Sequence, residues 1–249
     1  MDQAQFSKRQ VNRAGDLLRD WWMNPNSRPI DVAAEDGLAG ALVLVLFQFR
    51  PTFQRPLDKV VMGVRSMVRS SSPSLKGKRK RLPVGQRLKR ELQIIDKLAR
   101  HPKMQLARMQ DIGGCRAVLP GDQAEVDKVV DRMRHADWDI RGFADYAREP
   151  TKHGYRAVHV VVMRDERLIE VQLRTPGQNE WAIAVERASI QLRMPLKFGV
   201  GEPVILEYFA RAAEAIAMQE TGKAADIEFD RAFGELRERV RPFFIRPTD

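Results

Sequence analysis

Polar side chains of five chemical types alternate along two neighbouring β runs in the middle of the chain. The runs, residues 155–163 and 168–175, are rich in valine, isoleucine and leucine, and each predicts a strand. Alternate residues of a strand point to opposite faces of the sheet. One face would then carry a phenol, an imidazole, a carboxylate, an amide and a guanidinium: Tyr155, His159, Glu170, Gln172 and Arg174. Together these groups suit a phosphate ligand or a metal ion.

The link between the runs sets their register. Asp165-Glu166 is short enough to predict an antiparallel hairpin, although it lacks the glycine that the tightest hairpin turns prefer. With Arg164 opposite Arg167, the five polar residues share one face and only valine, isoleucine and leucine fill the other. Because an antiparallel sheet with one solvated face shows the same alternation, the hairpin by itself leaves both explanations open.

Charged residues earlier in the chain favour the functional explanation. Asp111 directly precedes a predicted buried strand that contains Arg116, and a predicted helix over 84–100 adds three cations, Arg87, Lys89 and Lys97. Two carboxylates that can share Mg²⁺, here Asp111 and Glu170, with cations beside them are what nucleoside triphosphate chemistry requires. The chain has neither a P-loop motif nor GxGxxG, so P-loop enzymes and Rossmann dehydrogenases do not fit. Side chains would have to hold the phosphates.

The elements around this face predict an α/β (α+β) protein with a mixed core sheet and helices at both chain ends. Strands are predicted over 112–119, 137–143, 155–163 and 168–175, and helices over 11–22, 38–49, 57–68, 84–100, 125–134, 178–192, 203–219 and 227–240. The predicted division of the chain is a helical segment, 1–75, with a basic linker to 81, a core over 82–190, and C-terminal helices over 191–249.

Composition sets the protein class. With 249 residues, 43% of them hydrophobic, the chain can bury a sizeable core, which excludes disorder and coiled coil. A single cysteine, Cys115, excludes a disulfide framework, and four histidines without zinc-finger spacing argue against structural zinc. The most apolar stretch, 38–49, is shorter than the about 20 residues that span a bilayer. We therefore expect a cytoplasmic protein that neither crosses a membrane nor carries a signal peptide.

The net charge of +10 is concentrated near the N-terminus. Residues 1–81 have 15 basic and 7 acidic side chains, residues 82–175 have 18 and 14, and residues 176–249 have 10 and 12. The first part ends in a basic run formed by Lys76, Lys78, Arg79, Lys80 and Arg81. Such a run is either a solvated loop or a contact to phosphate or nucleic acid, and composition does not decide between them.

Four blocks of the chain resemble the RelA/SpoT-type alarmone synthetases, which move the β,γ-pyrophosphate of ATP to a ribose 3′-hydroxyl and release AMP. The blocks are Arg87-Leu-Lys89 with Lys97-Leu-Ala-Arg100, then Met109-Gln-Asp111-Ile-Gly-Gly-Cys-Arg116, then Asp145-Tyr146 with Gly154-Tyr155-Arg156-Ala-Val-His159, and finally Glu170-Val-Gln172-Leu-Arg174-Thr175 with Trp181-Ala-Ile-Ala-Val-Glu186. The resemblance covers about residues 82–190. It implies a stand-alone pyrophosphokinase with a nucleotidyltransferase-like synthetase fold and a mixed sheet of about five strands.

The resemblance also implies roles for single residues. Arg87, Lys89, Lys97, Arg100 and Arg116 would bind ATP. Asp111 and Glu170 would hold Mg²⁺, and Glu170 would also activate the attacking hydroxyl. The acceptor side would be formed by Tyr155, stacking on a base, by His159, contacting phosphate, and by Lys152, Gln172 and Arg174. The acceptor block departs from the family, because Thr151-Lys152-His153 replaces Lys-Pro-Asn and Arg187 replaces a histidine.

Three functions stay open. Some stand-alone relatives are toxins, of toxin–antitoxin or phage-defence systems, that pyrophosphorylate the 3′-CCA end of tRNA, and the basic N-terminal part with its run at 76–81 favours this acceptor. An antitoxin protein would then be a further partner. The second function is the synthesis of the alarmone (p)ppGpp from GDP or GTP. The third is an inactive RNA- or nucleotide-binding regulator, against which the retained Asp111 and Glu170 argue.

Overall fold

A five-stranded mixed sheet forms the centre of the protein. The structure is a computed structural model and describes residues 6–24, 38–71 and 84–245, with the backbone alone at 38–43. The strands are β1 Val84–Leu88, β2 Gly113–Val118, β3 Ile140–Asp145, β4 Val158–Arg164 and β5 Arg167–Arg174. Their order across the sheet is β1-β2-β5-β4-β3, with β2 and β5 parallel and all other neighbours antiparallel. The predicted mixed α/β architecture is confirmed.

Helices precede, interrupt and follow the sheet. They are α1 Lys8–Met23, α2 Leu38–Phe49, α3 Gln54–Ser71, α4 Glu91–Arg100, α5 Gln123–His135, α6 Pro176–Leu192, α7 Pro203–Glu220 and α8 Ile227–Phe244. Within the described ranges, no helix is both long and apolar enough to cross a membrane. The division of the chain at residues 81 and 190 stays a prediction, since the linker lies among the residues that the structure does not describe.

The apolar face of the β4–β5 hairpin is the centre of the main core. Val158, Val160 and Ile169 are at most 1% exposed and pack in one cluster with residues of α3 and α5. A second cluster joins α6, α7 and α8 through Trp181 and Phe209, and Tyr155 packs against it. The polar face of the hairpin therefore lies beside the C-terminal helices.

The predicted hairpin register is confirmed. Arg164 pairs with Arg167, and the pairing runs without interruption to Val158 opposite Leu173. The turn needs no glycine because Asp165 and Glu166 themselves take left-handed conformations, with φ of 45° and 61°. Two successive left-handed residues make the type of turn whose twist matches a hairpin. The Asp165 carboxylate is held by Lys59 Nζ at 2.7 Å.

The predicted helix over 84–100 is wrong in its first half. Val84–Leu88 is the edge strand β1, paired antiparallel with β2, and the Lys89 amide extends this ladder by donating to the Ile112 carbonyl at 2.8 Å. The helical spacing of Leu88, Leu92, Ile95 and Leu98 suggested a single helix, but Leu92 is 63% exposed. Arg87 and Lys89 therefore come from a strand and its end, and only Lys97 of the three predicted cations is on α4.

Candidate active site

The five polar residues of the hairpin face form one hydrogen-bond network. Tyr155 Oη lies 2.6 Å from His159 Nε2, and His159 Nδ1 lies 3.1 Å from Glu170 Oε1. Gln172 Nε2 donates to Glu170 Oε2 at 2.7 Å. Arg174 Nη2 closes the ring by donating to Tyr155 Oη and to Gln172 Oε1, both at 3.0 Å. The expectation that these side chains share one face is confirmed.

The network places a proton on His159 Nδ1. The Glu170 carboxylate only accepts hydrogen bonds, so His159 Nδ1 carries the proton and donates it. His159 Nε2 lies 2.6 Å from the Tyr155 hydroxyl, whose oxygen accepts a hydrogen bond from Arg174. These contacts hold the Glu170 carboxylate in one orientation.

Glu170 is ionised in this arrangement. Burial raises the pKa of its carboxyl group, but the hydrogen bonds from His159 and Gln172 outweigh burial and leave the pKa below the ordinary value of 4.5. The negative charge of Asp111 acts in the other direction and raises the pKa of Glu170. The two acids therefore lie within electrostatic reach of each other. Glu170 therefore has the charge state that a metal ligand or a general base needs.

This pKa shift predicts a pH dependence of stability. A carboxyl group whose pKa is lowered by folding stabilises the native state above its unfolded pKa and loses that contribution as the pH falls through the folded value. The stabilisation from Glu170 should therefore be complete at pH 6 and decline below pH 4.5. Urea unfolding at pH 6 and pH 3 should show a smaller difference between wild type and Glu170→Gln at pH 3. A difference that grows as the pH falls would contradict this assignment.

Asp111 is bound by two lysines that come from different elements. Lys89 Nζ lies 3.0 Å from Oδ2 and Lys97 Nζ lies 2.9 Å from Oδ1. Burial raises the pKa of Asp111, but the two ammonium groups outweigh it and the net shift is downward. Asp111 lies two residues before β2, while Lys89 directly follows β1 and Lys97 lies on the last turn of α4. The antiparallel β1–β2 pair brings Lys89 to Asp111, and α4 adds Lys97.

The sheet arranges the remaining charges in two rows that cross its strands. In one row Arg87 pairs with Gly114, which pairs with Glu170. In the next row Gly85 pairs with Arg116, which pairs with Gln172 and then with His159. Because directly paired residues share a face, both rows point to the same side of the sheet. Each row contains one glycine, Gly114 in the first and Gly85 in the second. Neither has a side chain to fill the space beside the charged groups.

These rows form the floor of a cleft of about 360 Å³. Its lining is Gly85, Gln86, Arg87, Lys89, Asp111, Gly114, Cys115, Arg116, Val118, Glu170, Gln172 and Glu186. The cleft thus contains both predicted metal ligands and three of the five predicted ATP-binding residues. Burial raises the pKa of the Cys115 thiol to about 12, so Cys115 has no thiolate with which to act as a nucleophile at neutral pH.

Two arginines beside the cleft have unpaired donors. Arg174 is 4% exposed, yet its Nε and Nη1 make no hydrogen bond within the described part of the chain. The same holds for Arg116 Nε. Burial, and then the charges of Arg174 and Arg87, lower the pKa of Arg116. Buried donors without partners are costly, and an anion between these guanidinium groups would satisfy them.

The other predicted site residues lie apart from the cleft lining. Lys97 reaches it through Asp111, whereas Arg100 pairs with Asp96 at 2.9 Å and its guanidinium lies over the Phe198 ring at 4.2 Å. Lys152 is exposed in the turn before Gly154 and takes no part in the network. The five cations predicted to bind RNA, Lys76, Lys78, Arg79, Lys80 and Arg81, lie outside the described residues.

The ring of Tyr155 is less available than its predicted stacking role requires. It packs edge-on against Tyr146 with centroids 5.7 Å apart and lies tilted against Trp181 at 6.3 Å. The Arg174 guanidinium lies 5.3 Å from its centroid. Burial raises the pKa of its phenol, and Arg174 lowers it less, so the hydroxyl stays protonated. Stacking of an acceptor base on Tyr155 stays a prediction.

Some residues at the cleft were not placed there by the sequence pattern. Gly85 and Gly114 matter because they lack side chains, and Lys197, which lies within electrostatic reach of Lys89, Arg87 and Glu186, comes after every block of the resemblance. The alternation of residues within β1 is the signal that would have placed Gly85 and Arg87 on the same face of the sheet. No local signal marks Lys197.

Part of the chain is similar to known proteins. Residues 86–191 match the family model for the region found in RelA/SpoT proteins. Uncharacterized proteins of Mycobacterium tuberculosis and Mycobacterium bovis are 35% identical over 104 residues, which are 41% of this chain and 37% of theirs. The chain therefore spans little more than a third of the curated relatives that it matches.

Solved structures share the fold. Small alarmone synthetase 1 from Bacillus subtilis, bound to its product pppGpp, superposes with a TM-score of 0.56 at 22% identity, covering 76% of this chain and 97% of that one. Small alarmone synthetase 2 from the same organism gives 0.55 at 18% identity, with the same coverage. The five-stranded sheet and flanking helices are thus those of a known synthetase fold. Residues 86–191 thus resemble the region found in RelA/SpoT proteins, and the fold is that of the small alarmone synthetases.

Proposed function

We propose that this RelA/SpoT region is an ATP-dependent pyrophosphokinase that moves the β,γ-pyrophosphate of ATP to a ribose 3′-hydroxyl. The observation that carries the proposal is the cleft in which two ionised carboxylates, Asp111 and Glu170, face Arg87, Lys89 and Arg116. Fixed cations beside a pair of acids suit a triphosphate with its metal. The match to the RelA/SpoT region supports the same activity.

The two carboxylates fit Mg²⁺. This ion commonly binds one or two protein carboxylates and completes its shell with water and substrate phosphates. Both acids line one cleft, and both have lowered pKa values, so they are ionised at neutral pH. Mg²⁺ would neutralise and orient the phosphates of ATP. Lys89 and Lys97, which bind Asp111 in this structure, would then pair with phosphate oxygens.

In this mechanism Glu170 accepts the proton of the attacking 3′-hydroxyl. A bond forms between that oxygen and the β-phosphorus of ATP, the bond from the β-phosphorus to the α,β-bridging oxygen breaks, and AMP leaves with that oxygen. His159 and Gln172 hold the Glu170 carboxylate ionised and oriented before the reaction. Arg87 and Arg116 stabilise the charge on the transferred group, which is the main catalytic term in phosphoryl transfer.

The acceptor we favour is a guanine nucleotide, which would give (p)ppGpp. A solved protein on this fold is bound to its product pppGpp. The second candidate acceptor is the 3′-CCA end of tRNA, with action as a translation-inhibiting toxin. It is favoured by the 15 basic against 7 acidic side chains of residues 1–81, because phosphate neutralisation dominates binding to nucleic acid. An antitoxin partner belongs to this second candidate alone.

Labelled ATP distinguishes the acceptors. The chain is incubated with Mg²⁺, γ-labelled ATP and either GDP, GTP or bulk tRNA, with periodate-oxidised tRNA as the matched control because it lacks the 3′-hydroxyl. We expect label in the guanine nucleotides. Label in intact tRNA alone would replace the favoured acceptor by the second candidate, and label in no acceptor would contradict the transferase and favour a binding module.

The basic run is tested in the same assay. If tRNA is labelled, neutralising Lys78, Arg79, Lys80 and Arg81 together should reduce that labelling and leave ATP binding unchanged. Unchanged tRNA labelling would remove the run from the acceptor site.

A further inference from the structure

A short turn between α6 and α7 contacts both the loop before Tyr155 and helix α4. Leu196–Phe198 forms one turn of 3₁₀ helix and Gly199 ends it in a left-handed conformation, with φ of 74°. Leu196 is 2% exposed and anchors the turn in the C-terminal apolar cluster. A side chain at position 199 would collide with the imidazole of His153, so the turn lies directly against the loop before Tyr155.

The same turn binds the helix on the donor side. The Arg100 guanidinium lies 4.2 Å from the centroid of the Phe198 ring, and Lys197 Nζ lies 4.8 Å from that centroid. Both distances are within the about 6 Å over which a cation is attracted to a ring face. Phe198 therefore holds Arg100 and brings Lys197 close to it.

Lys197 has cations for neighbours and no ion-pair partner among the described side chains. Partial burial lowers the pKa of Lys197, and the charges of Lys89, Arg100 and Arg87 lower it further, while Glu186 raises it. Lys89, Arg87 and Glu186 line the cleft, so Lys197 lies within electrostatic reach of the cleft lining. No hydrogen bond fixes its side chain within the described ranges.

Gathering like charges costs free energy unless an anion binds among them. Folding brings Lys197 near three cations that precede it by about 100 residues in the sequence. Arg87 lies on β1, Lys89 directly follows β1, and Arg100 is the last residue of α4. The negative charge of a single phosphate is too small to balance so many cations, whereas the negative charge of a triphosphate balances all of them. The neighbours of Lys197 are also the residues expected to bind ATP, not those expected to bind the acceptor.

Resting on the proposed pyrophosphokinase function, we infer that Lys197 binds the triphosphate of ATP from the α6–α7 turn. Lysine suits this role because its ammonium group is a mobile point charge that needs no fixed geometry. The Arg100 guanidinium, which packs on the Phe198 ring, would then bind the same polyphosphate from α4.

The test is the affinity of Lys197→Met for a non-hydrolysable α,β-methylene analogue of ATP, measured by calorimetry in the presence of Mg²⁺. Methionine keeps the aliphatic stem and removes the charge. We expect binding of the analogue to weaken about tenfold, since a hydrogen bond to a charged group is lost. Binding of AMP should change less than twofold, and Lys197→Arg should restore most of the affinity.

Lys223→Met is the matched control, because Lys223 is exposed in the turn between α7 and α8. It should bind the analogue as wild type does. Wild-type affinity in Lys197→Met, or an equal loss of affinity for AMP and for the triphosphate, would overturn the inference alone. Wild-type protein that fails to bind the analogue would instead overturn the proposed function. Circular dichroism should show both methionine variants folded, as their positions are exposed.

Discussion

Replacing Glu170 with glutamine should lower the rate of pyrophosphate transfer by about 10³-fold, the range of general-base catalysis. Glutamine has nearly the same shape and keeps an oxygen that accepts a hydrogen bond, so the fold should persist. What it loses is the negative charge that binds Mg²⁺ and accepts the proton of the 3′-hydroxyl. The loss should appear mainly in kcat, because the substitution leaves Arg87, Lys89 and Arg116, which we propose to bind ATP, unchanged.

Glu166→Gln is the matched control for this substitution. Glu166 lies on the same hairpin, is exposed, and sits in the turn outside the polar network. It should keep wild-type activity. Transfer in Glu170→Gln at more than a tenth of the wild-type rate would contradict Glu170 as the base, and growth arrest by this variant on expression would argue that any toxicity is independent of catalysis.

Asp111→Asn should lower transfer by about a hundredfold and should do so through the metal. The substitution removes one of the two carboxylates that we expect to share Mg²⁺. It also leaves Lys89 and Lys97, which bind Asp111 at 3.0 and 2.9 Å, without their anion. The two lysines can then pair with phosphate oxygens without competition, so binding of metal-free ATP should be retained or strengthened.

The readout is the dependence of the rate on Mg²⁺ concentration. We expect the half-saturating Mg²⁺ concentration to rise in Asp111→Asn, with partial recovery at high Mg²⁺. Asp131→Asn, an exposed position on α5, should behave as wild type. A variant that loses rate with an unchanged Mg²⁺ dependence would show that Asp111 acts only by orienting the two lysines.

The donor side of the cleft shows where prediction from sequence failed. Leu88 falls at helical spacing with residues of α4, so the pattern indicated one helix where a strand and a helix follow each other. A short edge strand buries little apolar surface, and Val84 is the only buried residue of β1. Its conformation depends on hydrogen bonds to β2, a partner about 25 residues away, and local periodicity does not report such bonds.

The hairpin shows the opposite case. Its register, its apolar face and the convergence of Tyr155, His159 and Glu170 all follow from a two-residue link and a period of two. Both are local properties, because the pleat of a strand alternates faces whatever the rest of the chain does. The motifs that resemble RelA/SpoT synthetases are likewise contained in short blocks, and the family match covers the same part of the chain.

The sequence by itself therefore determined the mixed α/β class, the polar face of the hairpin and the choice of Asp111 and Glu170 as the two carboxylates of one site. Only the tertiary structure decided which residues stand next to each other across strands. The row Arg87, Gly114 and Glu170 depends on one antiparallel and one parallel pairing, and the turn that carries Lys197 meets Arg100 because Leu196 anchors it in a separate apolar cluster. Such neighbours are set by long-range backbone pairing and core packing, which residue spacing along the chain does not encode.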